Sequence, residues 1–316
     1  MPGDGAPPGE LRFGVLFNGD PRRAARLERW DLDSLWVGGH IAAANPTAEA
    51  LTALARMSAA TERVLLGTSV LLLPLYPPAI VAKAVADLDR VTGGRVILGV
   101  GVGGESPQEY RACQVPRETR GRRLDEAIPL LRRLWTAEQV THEGRYYPMR
   151  DVRIHPAPAR PGGPPIVVAG RQDAAVRRAA RLGDGWMPYL MSASAYARSV
   201  QTIEAEAKAA DRDLAGFEWM LYCYCSIRRD GDRARNDVAT FLGGAYGDKP
   251  GAMLDRIAPA GTPEEVAARL QEFVDAGVRH LIISPAAPDD TLEVVTLAAE
   301  EVLPRLTVPS APAVTP

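Results

Sequence analysis

The chain alternates short, nearly continuous apolar runs with stretches that have the spacing of amphipathic helices. Strands of this kind are typical of a parallel sheet whose two faces are both covered by helices. There are eight such runs, which is the number that a closed (β/α)8 barrel requires. They are LRFGVLF, DSLWVG, RVLLGTSVLLL, RVILGVGV, PIVVAG, GWMPYL, FEWMLYCYCSI and RHLIISP. We therefore predict an α/β protein, a single (β/α)8 TIM barrel over residues 11–303.

One segment interrupts this alternation. The stretch VTHEGRYYPMRDVRIHPAPARPGG precedes the strand PIVVAG and is rich in aromatic residues and proline. We predict that it forms an inserted hairpin and loop beside the barrel. The two ends of the chain, MPGDGAPPGE and TVPSAPAVTP, are rich in proline and small residues, which predicts flexible tails over residues 1–10 and 307–316.

The composition excludes several classes of partner. A formal net charge of −2 over 316 residues gives no basic surface for nucleic acid or an anionic membrane. The longest apolar stretches are broken by Gly and Pro before they could span a bilayer, and the first residues lack the apolar core of a signal peptide. We therefore expect a cytoplasmic protein that binds neither nucleic acid nor a membrane.

The three cysteines, Cys113, Cys223 and Cys225, are too few for a disulfide framework. Cys223 and Cys225 lie two residues apart in a strand-like run and share one face, which favours ordinary strand packing. Because no cluster has the spacing of a zinc site, we expect no metal.

Glycines after the fourth strand match G-x-G-x-x-G, the pattern of a dinucleotide-binding loop, at Gly99, Gly101 and Gly104. That function needs a helix that begins at once, so that its N-terminus meets the phosphate. Here Pro107 and Pro116 interrupt any long helix, and three strand–helix units precede the motif. We favour the interpretation that these glycines let a planar ligand approach the end of the strand. A Rossmann domain is the alternative.

His40 follows two glycines where the second strand leaves the core, in DSLWVGGH. Histidine is the side chain whose ordinary pKa lies nearest to neutrality, and the open face of a barrel would bring it to a substrate. It could exchange a proton there. The alternative is a capping residue that bonds a backbone carbonyl, and the residues alone favour that alternative.

Six blocks, taken in order, resemble the bacterial luciferase-like monooxygenase superfamily, and more closely its branch that uses the deazaflavin coenzyme F420. They are DSLWVGGH, LLGTSVLLLPLYPP, RVILGVGVGGESPQEY, RGRRLDEAIPLLRRLW, PIVVAGRQDAAVRRAARLGDGW and GTPEEVAARLQEFVDAGVRHLIIS. The resemblance implies a (β/α)8 barrel with the cofactor at the C-terminal ends of the strands, and it makes His40 the catalytic residue facing the ring. In relatives an acidic residue often precedes this histidine. Here that cofactor-binding position is Gly39, which predicts a missing contact and a roomier pocket.

The resemblance also implies which residues support the ring. A cis peptide bond between Ser69 and Val70 is expected to form a bulge against one ring face. Gly101, Val102 and Gly104 are expected along the edge of the ring.

Gly170, Arg171 and Gln172 lie between a strand and a helix that begins near Asp173. Free backbone N–H groups and the helix dipole make such a helix start an anion site. Relatives place the cofactor phosphate there, so the resemblance assigns these three residues to it. The alternative is an ordinary β-to-α turn, which would explain the glycine but not the arginine.

The substrate side is less defined by sequence. In some related dehydrogenases a glutamate acid stands at the position of Gly104, whereas the nearest carboxylates here are Glu105 and Glu109. We assign Glu105, His40 and Tyr189 to substrate binding. Tyr189 could equally be a core aromatic residue with its hydroxyl in water.

The function that the resemblance implies is an F420-dependent oxidoreductase acting on a small organic substrate. Hydride moves to or from the deazaflavin C5, and His40 donates or accepts the proton. The alternatives are an FMN-dependent monooxygenase of the same fold and a catalytically silent flavin-binding protein. Relatives are often homodimers, so we expect a homodimer here.

Overall fold

The computed structural model describes residues 10–17, 19–30, 32–42, 47–104, 106–246, 251–287 and 291–309. The strands in these ranges are β1 (Arg12–Leu16), β2 (Ser34–Gly39), β3 (Leu65–Leu71), β4 (Val96–Val100), β5 (Val140–His142), β6 (Met149–Val152), β7 (Ile166–Ala169), β8 (Gly185–Met187), β9 (Glu218–Ile227), β10 (Ala260–Gly261) and β11 (His280–Pro285). Eight of them pair in parallel in the order β1-β2-β3-β4-β7-β8-β9-β11, and β11 pairs with β1 to close the sheet. The predicted (β/α)8 barrel is confirmed, and the eight barrel strands are those that the apolar runs predicted.

Helices follow the barrel strands and cover the outside of the sheet. Those in the described ranges are α1 (Pro21–Leu27), α2 (Ala50–Ser58), α3 (Pro78–Val91), α4 (Pro107–Ala112), α5 (Arg120–Thr136), α6 (Asp173–Leu182), α7 (Ala193–Ala209), α8 (Gly231–Tyr246), α9 (Gly251–Ile257), α10 (Pro263–Asp275) and α11 (Thr291–Leu297). Local sequence sets their ends. Pro78 and Pro263 stand at first-turn positions, where a missing N–H costs nothing, and Thr262 with Glu265 forms a capping box.

The inserted segment forms the predicted hairpin, in which β5 and β6 pair antiparallel. Glu126 of α5 holds it against the outside of the barrel. Its carboxylate accepts the N–H groups of Tyr146 and Tyr147 and lies 3.2 Å from Nε2 of His142. The carboxylate of Glu126, which is largely buried, therefore anchors the insertion to α5.

The barrel interior is filled by side chains in its middle layer. The buried interior residues are Trp36, Ile97, Val167, Met187, Met220 and Ile282. Trp36 fits because Gly67 faces it: a Cβ on Gly67 would come within 2.2 Å of the indole ring. At the N-terminal end, Ser34 lies 2.7 Å from Nε2 of the buried His280. In barrels of this kind the functional residues lie at the opposite, C-terminal end of the strands.

Three further predictions concern the chain ends, membrane-spanning helices and the cysteines. Most of the predicted tails lies outside the described residues, so their flexibility and the domain limits of 11–303 stay predictions. No helix in the described ranges combines the length and the apolar character needed to cross a membrane. The free Cys223 and Cys225 are buried in β9, as strand packing predicts.

Candidate active site

His40, directly after β2, is paired with a carboxylate from α4. Its Nδ1 lies 3.2 Å from each carboxylate oxygen of Glu109, whose side chain is fully buried while that of His40 is 38% exposed. A carboxylate facing Nδ1 favours the tautomer that carries its proton on that nitrogen. The side chain bonds no backbone carbonyl in the described part of the chain, so the capping alternative is not what the structure shows.

Glu109 also fixes the loop that follows His40. It accepts the backbone N–H of Ile41 at 2.6 Å and that of Ala42 at 3.2 Å. With these bonds the carboxylate satisfies three donors at once, as a buried charge requires. Sequence reasoning named Glu109 as a nearby carboxylate but did not assign it a role. Its position in the first turn of a helix after β4 was the available signal.

The peptide bond between Ser69 and Val70 is cis, as predicted. The pairing register of β3 shifts at this point against both of its neighbours, β2 and β4. The bulge brings the Val70 carbonyl to Gly39, where a Cβ would lie 2.4 Å from that oxygen. The expectation of a roomier pocket at Gly39 is therefore wrong, because strand backbone fills that space. The open position is Gly38, where a Cβ would meet nothing within 4 Å.

Gly99 and Gly101 make room for the same bulge. A Cβ on Gly99 would lie 2.0 Å from the Thr68 carbonyl oxygen, and one on Gly101 would lie 2.7 Å from Cγ2 of Val70. These two glycines thus permit close strand packing, and any contact of theirs with a ring passes beside Val70. For Gly99 and Gly101 the structure therefore favours strand packing over direct contact with a planar ligand. The prediction of such a contact applies better to the loop after β4.

The loop after β4 runs through Val102 and Gly104 to α4, a helix of only six residues. Tyr110 holds it by donating its hydroxyl to the Val102 carbonyl, and burial raises the pKa of Tyr110 to about 12, which keeps that donor protonated. Gly104 has φ +118°, which favours glycine. The short helix and the closed barrel exclude the Rossmann alternative.

The residues predicted for the phosphate lie at the start of α6. Gly170 has φ +126°, and a Cβ there would be 2.8 Å from that of Ala175. Gln172 is the N-cap, but its side chain makes no capping bond, so the first N–H groups of the helix are not taken by it. Arg171 is exposed and has no carboxylate within ion-pair distance in the described ranges. This arrangement fits an anion.

Tyr189, after β8, begins a row of aromatic rings. The Arg171 guanidinium lies 4.9 Å from the Tyr189 ring centroid, and Tyr189 meets Tyr222 edge to face at 6.5 Å. The row continues from Tyr222 to Tyr224 at 5.0 Å and on to Phe241 at 5.6 Å. Sequence reasoning found Tyr189 alone, since only the pairing of β8 with β9 brings the others beside it. The remaining substrate-side prediction, Glu105, lies outside the described residues.

These residues define an enzyme-like site at the C-terminal face of a parallel barrel, where such folds place their chemistry. It contains the pair of His40 and Glu109, the start of α6 beside Arg171 and an aromatic row. In the described part of the chain, no group of three or more His, Cys, Asp and Glu residues could hold a metal ion.

The chain belongs to the luciferase-like monooxygenase family, whose model matches residues 18–251. A relative from Beutenbergia cavernae, named F420-dependent glucose-6-phosphate dehydrogenase, is 35% identical over 294 residues, which is 85% of this chain and 84% of the relative. A relative of the same name from Amycolatopsis mediterranei is 29% identical over 90% of this chain and 92% of its own.

Solved structures share the fold. An F420-dependent secondary alcohol dehydrogenase in complex with an F420–acetone adduct has a TM-score of 0.84 at 22% identity, and covers 94% of this chain and 99% of its own. The monooxygenase RslO1 from Streptomyces bottropensis has a TM-score of 0.80 at 25% identity, with 93% and 99% covered.

Proposed function

We propose that the protein is a coenzyme F420-dependent oxidoreductase that moves hydride between the deazaflavin C5 and a small organic substrate, with His40 exchanging the proton. The observation that carries the proposal is the pair of His40 and Glu109 at the barrel mouth, across from a helix start that fits a phosphate. Support for the cofactor comes from relatives that align over most of their length and are named F420-dependent.

The residues at the mouth fit such a cofactor. Gly38 leaves open space above the middle layer of the barrel, and the bulge at Ser69 and Val70 offers a flat support beside it. Gly170, Arg171 and Gln172 would hold the phosphate through backbone N–H groups and one full positive charge. Val102 and Gly104 would border the ring from the loop after β4.

The bound deazaflavin would supply the hydride chemistry, and the chain supplies proton transfer and orientation. His40 presents Nε2 to the mouth, because Nδ1 is engaged by Glu109. In the alcohol-oxidising direction His40 takes the hydroxyl proton, and the buried carboxylate stabilises the imidazolium that results. In the reverse direction the same pair returns that proton to the substrate oxygen.

The substrate would lie against the aromatic row. Tyr189, which lies beside Arg171, and Tyr222 are both half-buried, and their ring surface favours a small organic molecule with an apolar face. A homodimer in the cytoplasm is part of the same proposal and follows from the family resemblance. Light scattering at micromolar concentration should give twice the chain mass of 34.0 kDa, and a monomer mass would reject the dimer.

A second candidate is an FMN-dependent monooxygenase. It is favoured by the family's description and by the fold shared with RslO1. Equilibrium titration separates the two functions. Quenching of cofactor fluorescence by the protein should give a lower dissociation constant for oxidised F420 than for FMN. A clear preference for FMN would overturn the proposed cofactor.

A further inference from the structure

Three arginines lie at the start of α5, beside the loop that follows β4. Arg117 donates from Nη2 to the Gly104 carbonyl at 2.7 Å, and Arg120 donates from Nη1 to the Arg117 carbonyl at 3.0 Å. Arg123 lies one turn further along, with its guanidinium 4.9 Å from the ring centroid of Tyr146. We call Arg117, Arg120 and Arg123 the α5 arginine cluster.

Within the described ranges, no ion pair neutralises the charges of the cluster. Among the described residues, no carboxylate lies within ion-pair distance of any of its three guanidinium groups. Nε of Arg120 and the hydroxyl of Tyr146 are buried and have no hydrogen-bond partner in that part of the chain. The first turn of α5 also contains no acidic residue, although the helix dipole favours acidic and disfavours basic side chains there. Like charges placed together against the dipole, with a buried donor left over, indicate a site for an anion.

The helix that carries Arg120 and Arg123 packs against α6, whose start is the predicted phosphate site. Arg178 of α6 lies 2.6 Å from the Asp125 carboxylate of α5 and 3.4 Å from the Gly121 carbonyl, so α6 packs against the start of α5. Because α6 begins directly after Arg171 and Gln172, an extended anion bound at its start could continue towards the cluster. The contact of Arg117 with Gly104 places the cluster on the other side next to the loop after β4.

We propose that the α5 arginine cluster binds the oligoglutamate tail of coenzyme F420. This inference rests on the proposed function. Beyond its phosphate, F420 carries glutamates whose carboxylates are the anions that a planar guanidinium binds best, through paired hydrogen bonds. FMN ends at its phosphate and has no group for these arginines. The cluster therefore adds a reason for this chain to select F420 by its tail as well as by its ring.

The test is a fluorescence titration of variants with three ligands: F420 with its glutamates, the form without glutamates, and the deazaflavin fragment without phosphate or tail. Arg120→Gln and Arg117→Gln should each raise the dissociation constant of full F420 at least fivefold and reduce its salt dependence. Their affinities for the two shorter ligands should not change, which also reports that the variants are folded. Arg122→Gln is the matched control. Arg122 is exposed on the same turn of α5, and its substitution removes the same charge outside the cluster.

Several results would overturn the tail site. Equal losses for the form without glutamates would assign the arginines to the phosphate. Equal losses for Arg122→Gln would show a general effect of surface charge. Unchanged F420 binding together with weakened binding of glucose 6-phosphate would assign the cluster to a substrate. If wild-type protein binds none of the three ligands, the proposed function fails first. Arg120→Lys should give an intermediate loss, because it keeps the charge without the planar fork.

Discussion

Replacing Glu109 by glutamine should slow the chemical step far more than it loosens the fold. The substitution keeps the shape of the side chain and one acceptor oxygen, but removes the negative charge 3.2 Å from Nδ1 of His40. With an effective dielectric constant of about 20, that charge stabilises an imidazolium by roughly 5 kcal/mol. His40 is 38% exposed, so solvent screens part of this and about 2–3 kcal/mol is left to be lost. We expect a rate reduction of roughly 30- to 200-fold.

The assay is single-turnover hydride transfer monitored by the absorbance of the cofactor, together with equilibrium binding of F420. The rate should fall while the dissociation constant for F420 stays within twofold. Glu126→Gln is the matched control, because Glu126 also lies 3.2 Å from a histidine and accepts two backbone N–H groups, but anchors the hairpin instead of the site. A wild-type rate in Glu109→Gln, or an equal loss in Glu126→Gln, would show that the charge of Glu109 does not act on His40 during catalysis.

Three further outcomes are expected. His40→Ala and His40→Asn should each slow single-turnover transfer by roughly 10²–10⁴ with F420 affinity intact; near wild-type rates in both would remove His40 from the mechanism. Arg171→Ala should weaken F420 binding by about 1.5–3 kcal/mol in a fluorescence titration, and an unchanged constant would place the phosphate elsewhere. Burial holds the pKa of His280 well below its usual range. Below about pH 6.5 the unfolded chain therefore binds a proton that the folded chain does not, and stability falls by up to about 1.4 kcal/mol per pH unit. Urea unfolding between pH 7 and pH 5 should show that component in wild type and not in His280→Gln; equal slopes would contradict it.

The fold could be read from the sequence because each barrel strand is buried on both faces and so appears as an apolar run. The run RVILGVGV contains β4, and the inserted segment rich in aromatic residues and proline contains the hairpin of β5 and β6. The short strand β10 was not predicted, since it consists of two residues that have no pattern of their own and that pair with the end of β9.

Only part of the candidate site could be predicted from the sequence. His40 drew attention because it follows the end of β2, and the cis bond between Ser69 and Val70, within β3, was predicted from the family resemblance alone. The partnership of His40 with Glu109 joins residues 69 positions apart and depends on packing alone. We predicted that Gly39 leaves extra space in the pocket because it lacks a side chain. In the structure, the Val70 carbonyl of the bulge occupies the place that a side chain would need.

The arginine cluster was missed for a different reason. Arg117, Arg120 and Arg123 stand three residues apart, a spacing that on a helix usually marks a solvent-facing stripe. Only their position beside Gly104, and the buried Nε of Arg120, distinguish them from such a stripe.

The proposed function is redox chemistry with F420 in this barrel. Its most direct test is to mix the protein anaerobically with oxidised F420 and a panel of small alcohols that includes glucose 6-phosphate, and to follow the cofactor absorbance. The oxidised deazaflavin absorbance should fall with at least one substrate, and should not fall in His40→Asn over the same time. Oxygen consumption with reduced FMN, without any reduction of F420, would contradict it.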